Sequence, residues 1–208
     1  MTGKFITFEG GEGTGKSTQA RLLASHLEQS GMNVVLTREP GGAPGAEDIR
    51  DLVVKGEPDR WSPMAEALLF NAARVEHWRH CIEPALKKGT HVVCDRFADS
   101  TLAYQGYVGG LTREAMALLH RLALGEARPD LTLVFDMPAA AGLARAAGRK
   151  DAENRFERKG ADFHKRLREA FLDIARREPQ RCVVIDASRA MDQVHSEVLH
   201  AMHSRLGI

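Results

Sequence analysis

The stretch Gly10-Gly11-Glu12-Gly13-Thr14-Gly15-Lys16-Ser17 constrains this chain more than any other. It fits G-x-x-x-x-G-K-[ST], the pattern of a loop that wraps a phosphate in backbone N–H groups. Its flanks suit that reading. Residues 4–8 are apolar and β-branched, as in a strand, and residues 17–27 have the spacing of an amphipathic helix. Between strand and helix, glycines allow positive φ and leave room for the backbone to approach an anion. The amides of Gly10, Gly11, Glu12, Gly13, Thr14, Gly15, Lys16, Ser17 and Thr18 are the expected nucleotide-phosphate contacts. Lys16 reaches the outer phosphates, and the Ser17 hydroxyl is suited to Mg²⁺.

The chain beyond the loop decides what kind of nucleotide protein this is. Residues 32–37, 91–95, 131–136 and 181–186 read as further strands, alternating with helical stretches. The helical stretches fall at 47–54, 63–82, 112–124, 163–175 and from 191 onwards, with Gly31 ending the first helix and Thr112 an N-cap. Pro84 marks a kink or a final turn. Residues 38–45 are too rich in Pro and Gly for either regular element and read as a loop at the ligand-binding edge. Alternating strands and helices predict a three-layer α/β/α fold with a five-stranded parallel sheet, the architecture of P-loop NTPases. At 208 residues, one domain is expected.

Composition removes several function classes. A formal charge of +1 gives no reason to expect nucleic acid or a membrane surface as partner. No apolar run approaches the ~20 residues of a membrane span. The N-terminus enters a strand at once, which argues against a signal peptide. Cys81, Cys94 and Cys182 lack metal-ligand spacing and read as reduced thiols of a cytoplasmic protein. The GTPase signatures D-x-x-G and N-K-x-D are both missing. A compact kinase for a small acceptor remains.

Six segments then carry a family resemblance, in order along nearly the whole chain. They are Phe8-Glu9-Gly10, Arg38-Glu39-Pro40-Gly41-Gly42, Leu69-Phe70-Asn71-Ala72-Ala73-Arg74, Asp95-Arg96-Phe97, Ser100-Thr101-Leu102-Ala103-Tyr104-Gln105-Gly106 and Pro129-Asp130-Leu131-Thr132. The set resembles the thymidylate kinases. The resemblance implies Mg·ATP and dTMP as substrates, ADP and dTDP as products, and a homodimer built on helices near 65–85 and 112–124.

It also implies roles for individual residues. Asp95 joins Ser17 at Mg²⁺; as a plain strand-end carboxylate it would only be a cap. Arg96 grips the acceptor phosphate, with a salt bridge to Glu39 or Asp95 as the structural alternative. Arg50 is a second phosphate ligand, and Glu39 belongs to the same substrate-binding set. Glu12 turns away from the ATP phosphates towards the acceptor sugar. Phe70 stacks on thymine, although periodicity alone would make it core. Arg74, one helical turn on, reaches a base carbonyl, while Gln105, Thr101 and Tyr104 complete the pocket. His77 reads as structural. Residues 187–189 are placed to pack on adenine.

The segment 142–160 is the expected lid. The phosphate loop lacks a basic residue at its variable positions, so the chain resembles the bacterial-type version that supplies an arginine from the lid. Arg149 is the first choice, then Arg145 and Arg155. Lys16, Arg96 and Arg149 are thus the expected catalytic groups. The competing readings are another nucleotide kinase, a shikimate-type kinase, or a non-catalytic nucleotide-binding module.

Overall fold

The computed structural model describes residues 2–147 and 155–208. Five strands form one sheet: β1 (Phe5–Gly10), β2 (Val34–Arg38), β3 (His91–Asp95), β4 (Leu131–Asp136) and β5 (Cys182–Asp186). Their order across the sheet is β2-β3-β1-β4-β5, and every pairing is parallel. The expected α/β/α sheet is therefore the observed one. Its central strand is β1, which carries the phosphate loop at its C-terminal end.

Parallel strands covered on both faces bury both sets of side chains. Ile6, Phe8, Leu131, Leu133 and Phe135 pack on one face beneath α1 (Lys16–Gln29) and α9 (Met191–Leu206). On the other face, Val134 and Cys182 lie against α8 (Ala161–Arg177). Phe5, Val92 and Cys94 meet Ile82, Ala85 and Phe97. Thr7 and Thr132 interrupt the second face, but their buried hydroxyls bond each other at 2.8 Å.

The remaining helices among the described residues are α2 (Pro44–Val54), α3 (Pro63–His77), α4 (Glu83–Lys87), α5 (Ala98–Thr101), α6 (Arg113–Leu124) and α7 (Ala139–Ala146). Helix α2 begins inside the stretch expected to be loop. Pro44 occupies its first turn, where a fixed φ suits the helix and no N–H is missed. Thr112 caps α6 as its sequence predicts, accepting from the Ala115 amide at 3.2 Å. Gly31 follows α1 with φ 79°, and the Met32 amide closes back on the Leu27 carbonyl.

The long stretch 63–87 is not one α-helix. A π-helical turn, Trp78–Ile82, joins α3 to α4, and Glu83 N–H donates five residues back to Trp78. Pro84 explains it: a proline ring collides with the carbonyl four residues earlier, and widening the helix removes the collision. A second π-helical stretch, Leu102–Val108, continues α5. The sequence reading assigned no element there.

Helix α7 packs directly on the phosphate loop through glycine. A Cβ on Gly142 would lie 2.4 Å from the Glu12 carbonyl oxygen, and one on Gly13 1.9 Å from the Gly142 oxygen. Gly142→Ala should gain up to about 1 kcal/mol in helix propensity. A rigid backbone clash costs about 1–3 kcal/mol, so the net effect is destabilising. Thermal unfolding checks this; an unchanged or higher Tm would show that α7 shifts freely on the loop.

Candidate active site

The loops at the C-terminal ends of β1, β2 and β3 converge, as a parallel sheet with this strand order requires. They line two adjoining clefts. The first runs along the phosphate loop and is walled by Glu12 to Ser17, Arg38, Asp95 and Arg50. The second is an open cleft of about 720 Å³ of empty space, walled by Phe70, Phe97, Tyr104, Phe156, Val54, Arg74, Thr101 and Gln105. Glu12, Glu39, Arg50, Arg96 and Glu157 line both.

In the loop, Gly13 and Gly15 hold φ of 68° and 88°. The Lys16 ammonium folds back on the Gly11 carbonyl at 2.5 Å. Burial, and then the nearby Arg96, lower its pKa to about 8, against the opposing pull of Glu12 and Asp95. Thr18 forms the first turn of α1 and lines neither cleft. Ser17 Oγ donates to Asp95 Oδ2, while Asp95 Oδ1 is buried without a hydrogen-bond partner among the described residues. A hydroxyl beside an orphaned carboxylate oxygen is a donor set that fits a hard divalent cation.

Arg96 sits at the junction of the clefts with φ 70°, a left-handed backbone that a non-glycine residue rarely adopts. The salt bridge to Glu39 or Asp95 that was its structural alternative does not form. Its partner is Glu12, at 2.9 Å, with further bonds to the Gly10 carbonyl and Ser100 Oγ. Glu39 is taken elsewhere, and Asp95 turns to Ser17. The Arg96 guanidinium also lies 5.4 Å from the Tyr104 ring centroid. Burial opposes its charge, but Glu12 and its neighbours outweigh that and raise its pKa. Glu12 also accepts from the Tyr104 hydroxyl at 2.5 Å. Burial pushes its carboxyl up, but Arg96, Lys16 and Tyr104 prevail and hold it at about 2.

Glu9, wholly buried, grips the turn that carries Arg96. It accepts from the Phe97 amide at 2.8 Å and from Ser100 Oγ at 2.6 Å. Burial and Asp99 push its carboxyl up to about 7 despite Arg96 and these donors.

In the second cleft, Phe70 is half-buried and faces Phe156 at 6.1 Å, so it is pocket wall rather than sealed core. Arg74 is 2 % exposed and bonds Glu39, Phe97 O, Thr101 and Asn71. Glu39, expected in the substrate-binding set, spends one oxygen on Arg74 and the other on His77. It lines the pocket with both oxygens already committed to the pocket's own framework. Gln105 gives its amide N–H to Glu66 at 2.9 Å, which fixes which way the amide faces. Arg50 donates to the Pro40 carbonyl at 2.5 Å and stands between the two clefts.

The lid expectations divide. Arg149 lies outside the described residues. Arg145 does not reach towards the phosphates; it donates to the Ala187 carbonyl at 3.2 Å, in the loop after β5. That loop is otherwise tied to Asp186 by Ser188 and Arg189. Arg155 overturns its expectation. It is fully buried, bonded to Glu66 and to the carbonyls of Val53, Glu57 and Pro58. A guanidinium is buried where carbonyls and a carboxylate satisfy its fork; here the end of α2 and the loop after it supply the carbonyls, and α3 supplies the carboxylate.

Phe156, Glu157 and Ser100 are wall residues to which the sequence reading assigned no role. The available signal for Phe156 was an aromatic side chain inside an otherwise charged stretch.

Comparison with known proteins agrees with this geometry. A family model described as thymidylate kinase matches residues 8–198. The chain belongs to the thymidylate kinase family. It is 54% identical over 206 residues to the thymidylate kinase of Caulobacter vibrioides, with 99% of both chains covered. It is 53% identical to that of Ruegeria pomeroyi, with 99% of this chain and 97% of the relative covered. The crystal structure of thymidylate kinase from Ehrlichia chaffeensis superposes with a TM-score of 0.78 at 36% identity, covering 97% of this chain and 99% of the other.

Arg155→Ala should strand the buried Glu66 carboxylate. Breaking such a pair costs about 3–5 kcal/mol. The expected outcome is a large fall in stability by chemical denaturation. An Arg155→Ala protein of normal stability but lost turnover would restore the phosphate-contact role.

Proposed function

We propose that this chain transfers the γ-phosphoryl group of Mg·ATP to dTMP, giving ADP and dTDP. The observation that supports it most is the shared wall of the two clefts. Glu12, Arg50 and Arg96 face both a phosphate loop and an aromatic pocket, so two anionic substrates can meet end to end. Lys16 and the loop amides hold the donor phosphates, and Ser17 and Asp95 hold the metal. Bound Mg²⁺ supplies charge neutralisation at the phosphate oxygens. Arg96 and Arg50 bind the acceptor phosphate, an oxygen of which forms the new bond to phosphorus as the bond to ADP breaks. The geometry is one of positioning and charge compensation, which is what phosphoryl transfer requires.

Phe70 stacks on the base, with Arg74 and Gln105 at its polar edge and Thr101 at the wall. Tyr104 and Glu12 stand on the sugar side. Arg149 supplies the lid's charge, and closure excludes water that would otherwise hydrolyse ATP. The whole chain acts as one kinase domain in the cytoplasm. An ADP-coupled assay with dTMP, dUMP, dCMP, GMP and shikimate tests the reading. Turnover is expected to be fastest with dTMP. ATP binding without turnover on any acceptor would replace the enzyme by a nucleotide-binding module.

We further propose a homodimer. Met64 and Leu68 on α3, and Leu118 and Leu122 on α6, are large apolar side chains left 40–76 % exposed. Two packed helices presenting such residues form a face suited to a second copy. Leu68→Glu combined with Leu122→Glu should halve the mass seen in sedimentation; a wild-type protein that sediments as a monomer would refute the dimer.

A further inference from the structure

From the wall of the acceptor pocket a buried row of three charged side chains runs back to β2. Arg74 Nε donates to Glu39 Oε2 at 2.7 Å, and His77 Nδ1 meets Glu39 Oε1 at 3.0 Å. His77 Nε2 meets Thr37 Oγ1 at 2.8 Å on β2. The side chains of Arg74, Glu39 and His77 are 3 %, 4 % and 0 % exposed.

An arginine beside a carboxylate in a dry site tends to pair through two parallel N–H bonds. That arrangement is absent here: Arg74 meets only Oε2, and His77 sits at Oε1, holding the carboxylate in one rotation. Arg74 pairs with Glu39 through Nε alone. Its Nη2 group is left to bridge the Phe97 carbonyl at 3.1 Å and Thr101 Oγ1 at 2.9 Å. Nη1 makes one long contact, 3.4 Å to Asn71 Oδ1. Of the five donors of a guanidinium, one on Nη1 has no partner among the described residues. Arg74 and Thr101 both line the acceptor pocket.

We propose that His77 is a positioning residue for acceptor recognition. By holding the Glu39 carboxylate in one rotation it keeps Arg74 single-pronged, so the guanidinium stays braced on Thr101 in the wall of the acceptor pocket. Without His77, Glu39 draws Nη2 away from Thr101 and the guanidinium rolls out of register with the pocket. This rests on the assignment of Arg74 to the base made under Proposed function.

The ionisation of His77 agrees with the geometry. Burial disfavours the imidazolium, but the Cys81 thiol on the π-helical turn and the Glu39 carboxylate raise its pKa to about 9. At neutral pH both ring nitrogens therefore carry protons and donate, one to Glu39 and one to Thr37.

Steady-state kinetics with varied dTMP at saturating ATP test this on His77→Leu, His77→Asn and Arg74→Gln, with Tm measured for each. His77→Leu should raise the KM for dTMP about tenfold, with kcat and the KM for ATP changed less than about threefold. His77→Asn keeps a donor near the Nδ1 position and should recover most of that loss. Arg74→Gln should be impaired at least as much as His77→Leu.

A normal KM for dTMP in His77→Leu beside an impaired Arg74→Gln overturns the role of His77 and leaves that of Arg74. A normal Arg74→Gln overturns the base-recognition reading itself. Equal losses for both substrates without rescue by His77→Asn mean a merely structural histidine, which also overturns the proposal. If His77→Leu does not fold, Thr37→Val decides. It frees the imidazole at Nε2, so a raised KM for dTMP supports the proposal and an unchanged one overturns it.

Discussion

The ion pair between Glu12 and Arg96 joins the loop after β1 to the loop after β3, and the two clefts exist in their present relation because of it. A carboxylate inside a phosphate loop is electrostatically out of place. It is tolerated because Arg96, Lys16 and the Tyr104 hydroxyl compensate it. Arg96 in turn needs an unusual backbone, and that backbone needs Glu9 beneath it to hold the Phe97 and Ser100 donors. The chain of dependence runs from a buried strand residue to a strained turn to the shared wall of both pockets.

This layering separates what could be read in the sequence from what could not. The sheet was legible because parallel strands buried on both faces leave short, mostly apolar runs, as in 91–95 and 131–136, each ending in Asp. The loop was legible because its glycines and lysine sit at fixed spacing. Helix α2 was misread at its start, since Pro and Gly mark loops as often as first turns. The π-helical stretch Leu102–Val108 left no periodic signature, because its spacing matches neither 3.6 nor 2.

Site residues divided along the same line. Phe70 and Arg74 were assignable by resemblance, and the structure sets both in the wall of the second cleft. Partner choice was not assignable. Nothing local tells Arg96 to choose Glu12 over Glu39, because the choice depends on Glu39 already being held by Arg74 and His77. Arg155 shows the same limit. In a run of charged residues it looks like its neighbours, and only the carbonyls of Val53, Glu57 and Pro58, about a hundred residues earlier in the chain, distinguish it. Long-range satisfaction of buried polar groups is set by topology rather than by local pattern.

The contact between Gly13 and Gly142 has a consequence for how such a chain can drift in sequence. Gly13 leaves space for the Gly142 carbonyl and Gly142 for the Glu12 carbonyl, and neither has room for a side chain. The two positions form one mutational unit although they lie far apart in the chain. A larger residue at either would be tolerated only after α7 had withdrawn from the loop. Relatives that place a side chain at one position should therefore show α7 displaced, and with it the Arg145 tie to the Ala187 carbonyl.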